Sequence, residues 1–144
     1  MVDKDQIREK LHHMRLNMDY LKEFKGIDVN FFNNDPVKEA AAVRMLQVLL
    51  EAMLDICCHI IAREGWGMPT TYCEAVSIAE SHGIIPSEHE GTYLKMARFR
   101  NRVVHHYQDI SPVEVLEIIN NRLDVFIPFI KNIIIHYIDS GVSR

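Results

Sequence analysis

The strongest constraint on this chain is its apolar spacing, which recurs at three- and four-residue steps and shows no strand pattern. Ile7, Leu11, Met14, Met18 and Leu21 form such a seam over residues 3–24. That period is the one an α-helix of 3.6 residues per turn requires. Gly26 ends the seam, and the polar, aromatic stretch Asp28–Asn34 reads as a loop. Asp35-Pro36 supplies an N-cap followed by proline at the first helical position. A run rich in Ala, Leu, Met and Val then reaches Glu64, where Gly65-Trp66-Gly67 stops it. Thr71 with Glu74, Ser87 with Glu90, and Ser111 with Glu114 each fit the capping box, in which two side chains satisfy otherwise orphaned amides. They start a short helix ending near His82-Gly83, another from about Ser87 to Tyr107 or slightly beyond, and a last from Pro112 to about Ile138. Pro128 is expected to kink the last one. The chain is therefore read as all-α, a helical bundle of about five helices in a single domain over residues 1–144. Between Val125 and Ile138 the sequence is apolar nearly all round, more than one protomer's bundle requires, which predicts a buried partner surface.

Charge and cysteine usage narrow the function classes. A formal charge of −4 and a pI near 6.0 exclude a protein that coats nucleic acid by bulk electrostatics, so any polyanion must meet a local patch. The cysteines, Cys57, Cys58 and Cys73, are odd in number and lack zinc spacing, so they read as reduced thiols. The N-terminal stretch is charged, without an apolar signal core, and the purely apolar runs fall short of a membrane span. The expectation is a cytoplasmic protein with no membrane partner. Trp66 reads as a surface or interface anchor, and His82 as a surface or cap histidine.

One acidic-protein anomaly stands out. The stretch KMARFRNRVVHHY, from Lys95 to Tyr107, gathers Lys95, Arg98, Arg100 and Arg102 with His105, His106 and Tyr107. At about 100° per residue, Arg100, Val104 and Tyr107 fall on one stripe, Asn101 and His105 on another, and Arg98 almost above His105. Arg100 would reach His105's face only by its long arm, a bend or a second chain. A solvated basic helix face with a tyrosine capping the core is the plain alternative. On the second long helix Arg44, Gln47, Glu51, Asp55 and His59 form a polar stripe. Glu51, Asp55 and His59 share a face and could ligate a metal, but the spacing lacks the tighter His-Glu-x-x-His pattern, and no metal is expected. A solvated stripe, or a seam facing another helix's cations, is the alternative. If the stripe faces inward, Glu51 and Asp55 are counter-charges for Arg98 or Arg100.

Phe99-Arg100-Asn101-Arg102-Val103-Val104-His105-His106-Tyr107 resembles the signature of HepT-like proteins in the HEPN superfamily. Arg100, Asn101, His105 and Tyr107 match it residue by residue. Arg44-x-x-Gln47-x-x-x-Glu51-x-x-x-Asp55, Tyr72-x-Glu74-Ala75 and Gly83-Ile84-Ile85-Pro86 extend the likeness over about residues 5–135. Arg98 also fits the superfamily's looser spacing, and His106 at the variable position offers a second imidazole.

The resemblance implies an antiparallel HEPN-type bundle that forms a homodimer, with two motif helices lining one cleft. It implies a ribonuclease toxin paired with a nucleotidyltransferase antitoxin, which silences it by transferring AMP to the motif tyrosine, here Tyr107. Arg100 and His105 are then the catalytic pair, with Asn101, Tyr107, Arg98, His106, Glu51 and Asp55 supporting them or binding RNA. The chemistry needs no cofactor. RNA carries its own nucleophile, the 2′-hydroxyl, so a proton-transferring imidazole and a phosphate-binding guanidinium suffice. Two rivals stand beside it. One is a non-catalytic nucleotide- or substrate-binding partner of a nucleotidyltransferase, and the other is a structural dimer whose motif has lost its activity.

Overall fold

The computed structural model describes residues 2–139, and among them there are seven α-helices and no strand. They are α1 (Lys4–Lys22), α2 (Val29–Asn33), α3 (Pro36–Glu64), α4 (Tyr72–Ser81), α5 (Glu90–His105), α6 (Pro112–Asn121) and α7 (Phe126–Ile133). A π-helical turn, Ile134–Asp139, follows α7.

The bundle is organised round α3. Its buried residues run from Ala42 to Ile61 and include Leu46, Leu50, Met53, Leu54 and Ile60. By length and composition α3 could cross a membrane. Here it is the shared centre, packed by α1, α2, α4, α5 and α6. The Asp3 amide meets His59 while Lys10 meets Asp55, so α1 runs antiparallel to α3. Gly65 ends α3 with φ of 72°, a left-handed cap that glycine adopts without a Cβ penalty.

Capping explains most boundaries. Asp3, Asp35, Thr71 and Ser111 each accept a hydrogen bond from a first-turn amide. The capping box expected at Ser87 does not form. Ser87–His89 is a 3₁₀ turn in which the Ser87 carbonyl, not its hydroxyl, takes the Glu90 amide, so α5 starts at Glu90.

Three further boundaries differ from the sequence reading. The stretch read as a loop after Gly26 contains α2, because Asp28 caps it and Phe32 is buried edge-on against Phe24 at 6.1 Å. The last helix is two helices. Arg122 leaves helical geometry at φ −124°, ψ −9°, and a 3₁₀ turn re-aims the chain before α7. Pro128 causes no break, because it sits in the first turn of α7, where its missing N–H costs no helical bond. The helix carrying the motif stops at His105, and Tyr107 lies in a separate 3₁₀ turn that carries the chain to buried Ile110 and the Ser111 cap.

The apolar surplus of residues 125–138 is largely used inside the chain. Phe126, Phe129, Ile130 and Ile133 are buried in its own core, and the hydroxyl of fully buried Tyr93 donates to the Val125 carbonyl. Only Ile127 and Ile135 of this segment are exposed large apolar side chains, so the inference of a partner surface from that segment loses most of its support. Trp66, read as a surface or interface anchor, is partly buried. Its ring stacks on His82 at 3.8 Å and 2°, tying the α3–α4 loop to the end of α4.

Candidate active site

Where the C-terminal part of α5 crosses α3 and the start of α4, a cavity of about 380 Å³ opens. Arg100, Asn101 and His105 line it from α5, Cys58 from α3, and Pro69, Thr70, Thr71 and Tyr72 from the loop into α4. The difficulty of bringing Arg100 to His105's side of the helix is met within one chain. His105 is the last residue of α5, and it lines the same cavity as Arg100.

Arg100 is held on several sides. Its Nε donates to Glu51 Oε2 at 3.0 Å, and one terminal nitrogen lies 2.9 Å from the same oxygen as an ion-pair contact. Its other terminal nitrogen donates to Asn101 Oδ1 at 3.3 Å. Its guanidinium carbon lies 4.8 Å from the centroid of the Tyr72 ring, a cation–π distance. Glu51 is steadied in turn by the Gln47 amide at 3.2 Å. A guanidinium has five N–H donors. One on Nε and one on a terminal nitrogen are engaged in hydrogen bonds, which leaves unengaged N–H groups for the oxygens of a phosphate.

The α3 stripe resolves into separate roles. Glu51 faces Arg100. Asp55 pairs with neither Arg98 nor Arg100, because Lys10 of α1 reaches it first at 3.3 Å and the Tyr72 hydroxyl donates to it at 3.4 Å. His59 Nε2 accepts the Asp3 amide at 3.0 Å. Burial, then the nearby Arg63, depresses the His59 pKa, consistent with a neutral acceptor ring. Arg44 is exposed. Glu51, Asp55 and His59 thus each have a different partner, and among the described residues no group of three or more His, Cys, Asp or Glu side chains could hold a metal ion.

The remaining motif residues lie elsewhere. Arg98 and His106 are exposed and do not line the cavity. Tyr107 is half exposed in its 3₁₀ turn, two residues beyond His105 and outside the cavity lining. Arg102 points away to Glu114. The cysteines are free, and burial pushes the Cys58 thiol up, so it enters the cavity wall as an uncharged group. Sequence reasoning passed over Tyr72 as a site residue. Burial followed by the Asp55 carboxylate raises its pKa, which keeps the phenol a donor. The only signal for it was its place in the Tyr72-x-Glu74-Ala75 string.

An all-α bundle whose motif arginine, asparagine and histidine open on one cavity, with an exposed tyrosine beside it, is a protein of the HEPN type. A solved structure of a tri-AMPylated HEPN toxin from Shewanella oneidensis, in complex with its MNT antitoxin, superimposes with a TM-score of 0.80. It is 25% identical and the match covers 90% of this chain and 96% of that one. The chain belongs to the Ribonuclease HepT-like family, whose model matches residues 14–133. It is similar to the tRNA nuclease HepT of Aphanizomenon flos-aquae, 27% identical over 127 residues, 88% of this chain and 86% of that protein. It is also similar to the mRNA nuclease HepT of Shewanella oneidensis, 26% identical over 103 residues, 72% of this chain and 77% of that one.

Proposed function

We propose that this chain is a metal-independent endoribonuclease toxin whose cleavage centre is Arg100 and His105. The observation that carries the proposal is the shared cavity, which Arg100 and His105 both line, with Arg100 anchored by Glu51. The unengaged N–H groups of Arg100 hold the scissile phosphate of RNA. His105 takes the proton of the neighbouring 2′-hydroxyl as that oxygen bonds to phosphorus, the P–O5′ bond breaks, and the departing 5′-oxygen is protonated by the imidazolium or by water. The product carries a cyclic 2′,3′-phosphate. Asn101 orients the reacting groups beside His105. Single-stranded RNA is the substrate class, since its splayed bases and flexible backbone can enter an open cavity. Arg98 and His106, exposed outside the cavity lining, are proposed to contact the RNA backbone away from the centre.

Silencing follows from Tyr107. Its exposed hydroxyl is accessible to a nucleotidyltransferase antitoxin, and AMP joined to it places a bulky anion beside His105, repelling RNA by charge and volume. The relatives' names and the AMPylated neighbour support this reading. Two copies are proposed to face each other through the end of α5, where Val104 and Tyr107 are exposed. Light scattering that finds only monomer at micromolar concentration would remove the shared cleft.

The deciding assay is purified protein on RNA, wild type beside His105→Ala, with and without chelator. Loss in the variant, indifference to chelator and a cyclic phosphate end are expected. Tyr107→Phe should cleave yet escape AMP transfer. Inactive wild type on every RNA would favour the non-catalytic binding partner instead.

A further inference from the structure

We propose that Tyr72 is a positioning residue for Arg100, setting the tilt of its guanidinium so that the unengaged N–H groups face the cavity. The inference rests on the reading above in one respect only, namely that Arg100 meets the scissile phosphate.

The geometry shows why Glu51 is not enough. Its hydrogen bond and its closest ion-pair contact with Arg100 converge on one oxygen, Oε2. A carboxylate that meets an arginine with two oxygens fixes the guanidinium plane, whereas a single oxygen is a pivot. Asn101 adds one further bond, at 3.3 Å. These three contacts are made by N–H groups lying in the guanidinium plane, and they leave the group free to rock out of it. The Tyr72 ring, 4.8 Å away on one face, is the out-of-plane support.

The ring is itself fixed. Tyr72 is the first residue of α4, directly after the Thr71 cap, and its hydroxyl is tied to Asp55 Oδ1. The other oxygen of Asp55 is held by Lys10. A line of contacts therefore runs from α1 through α3 and α4 to the arginine on α5. Asp55 is thus a partner of the Tyr72 hydroxyl and of Lys10 rather than a counter-charge for the arginine. A misplacement of about 1 Å in a group that contacts the reacting atoms can cost roughly a hundredfold in rate, so a support of this kind registers in turnover more than in binding.

The test compares Tyr72→Phe and Tyr72→Leu in the full chain, with two readouts. The first needs no RNA. Side-chain protons of Arg100 lying over a tyrosine ring are shifted upfield in the proton NMR spectrum, and they are identified by their loss in Arg100→Lys. Tyr72→Phe should keep that shift, and Tyr72→Leu should abolish it while the rest of the spectrum stays folded. The second is cleavage. Tyr72→Leu should lower kcat about tenfold or more with KM little changed, Tyr72→Phe should stay near wild type, and Tyr72→Leu should cost nothing further in the Arg100→Lys background. An unmoved Arg100 signal in Tyr72→Leu, or wild-type kcat despite its loss, overturns the proposal. If Tyr72→Leu does not fold, Tyr72→Met, a flexible apolar side chain without a ring, should abolish the same shift, and an unmoved Arg100 signal there overturns it as well. Failure of wild type to cleave any RNA speaks against the ribonuclease reading, and the Arg100 signal then decides the positioning role by itself.

Discussion

Arg100 and Arg102 stand two residues apart on α5, roughly 200° round the helix, and both pair with a glutamate. Their surroundings differ in kind. Arg102 forms a two-oxygen fork with Glu114, at 2.6 Å and 2.8 Å, and adds a contact to the Asp109 carbonyl. That fork raises its pKa and joins the end of α5 to the start of α6 across the turn that carries Tyr107. Arg100 instead meets one oxygen of Glu51, lies against an aromatic ring, and borders a cavity. Side-chain chemistry alone does not distinguish a clasp from a site. The distinction lies in what remains unengaged and whether it faces open space.

The largest effects should fall on one side of that comparison. Arg100→Ala and His105→Ala are each expected to reduce RNA cleavage by about a hundredfold or more, the usual cost of removing a transition-state donor or a positioned acid or base. Arg102→Ala should leave the rate constant within a small factor of wild type. Cleavage rates on one RNA, with folding checked by circular dichroism, read all three. Equal losses at Arg100 and Arg102 would break the comparison.

Next in size are the two glutamates. Glu51→Gln keeps an acceptor but removes the charge behind a part-buried arginine, so cleavage should fall by roughly tenfold, less than the full cost of a displaced group. Stability should fall by about 1–3 kcal/mol, as for a weakened partner of a part-buried polar group. Glu114→Gln should do neither to the same degree. Chemical denaturation and cleavage measured on the same two proteins settle the order.

The helical periods that make α1 and α3 are plain in the sequence, as are the caps at Asp35, Thr71 and Ser111, because each is local in the chain. Arg100, Asn101 and His105 were visible as a motif, and Glu51 as a counter-charge on the α3 stripe, because helical spacing places it on one face. What was not legible is long-range. Nothing in the spacing of Tyr72 says that its ring lies against Arg100, or that Lys10 reaches Asp55 before an arginine can. The end of α5 at His105 was missed for a similar reason. Motif residues up to Tyr107 are acceptable in a helix, and the bend answers to Ile110 and α6, farther along.

The Arg102 clasp itself should matter modestly to stability. Its partners are 39% and 31% exposed, so water and salt screen the pair. Arg102→Ala is expected to cost about 1 kcal/mol or less, and the loss should shrink further at high salt. Thermal melts at low and high salt check it. A salt-insensitive loss would mean that packing of the arginine stem, not charge, joins the helices there.

The smallest effect concerns pH, and it guards the comparison against a false signal. An arginine guanidinium does not lose its proton in proteins, so falling pH leaves the cation of an arginine ion pair in place. His59 is different. Its folded-state pKa is depressed below its ordinary value of 6.5, first by burial and then by Arg63, while its Nε2 accepts the Asp3 amide at the start of α1. The unfolded chain therefore binds this proton more readily than the folded one. Stability from the neutral ring is fully present above pH 6.5 and is lost as pH falls below it toward the folded value. Any drop in cleavage over that window would mix chemistry at His105 with loosening at the other end of the α3 stripe. His59→Gln supplies an acceptor that does not titrate, so it should flatten the stability profile in mild acid and leave the cleavage profile unchanged. Denaturation midpoints from about pH 5 to 8, the window of histidine titration, give the first profile, and initial rates in the same buffers give the second. A cleavage profile that flattens together with the stability profile would show that the pH response arises in the fold rather than at the cavity.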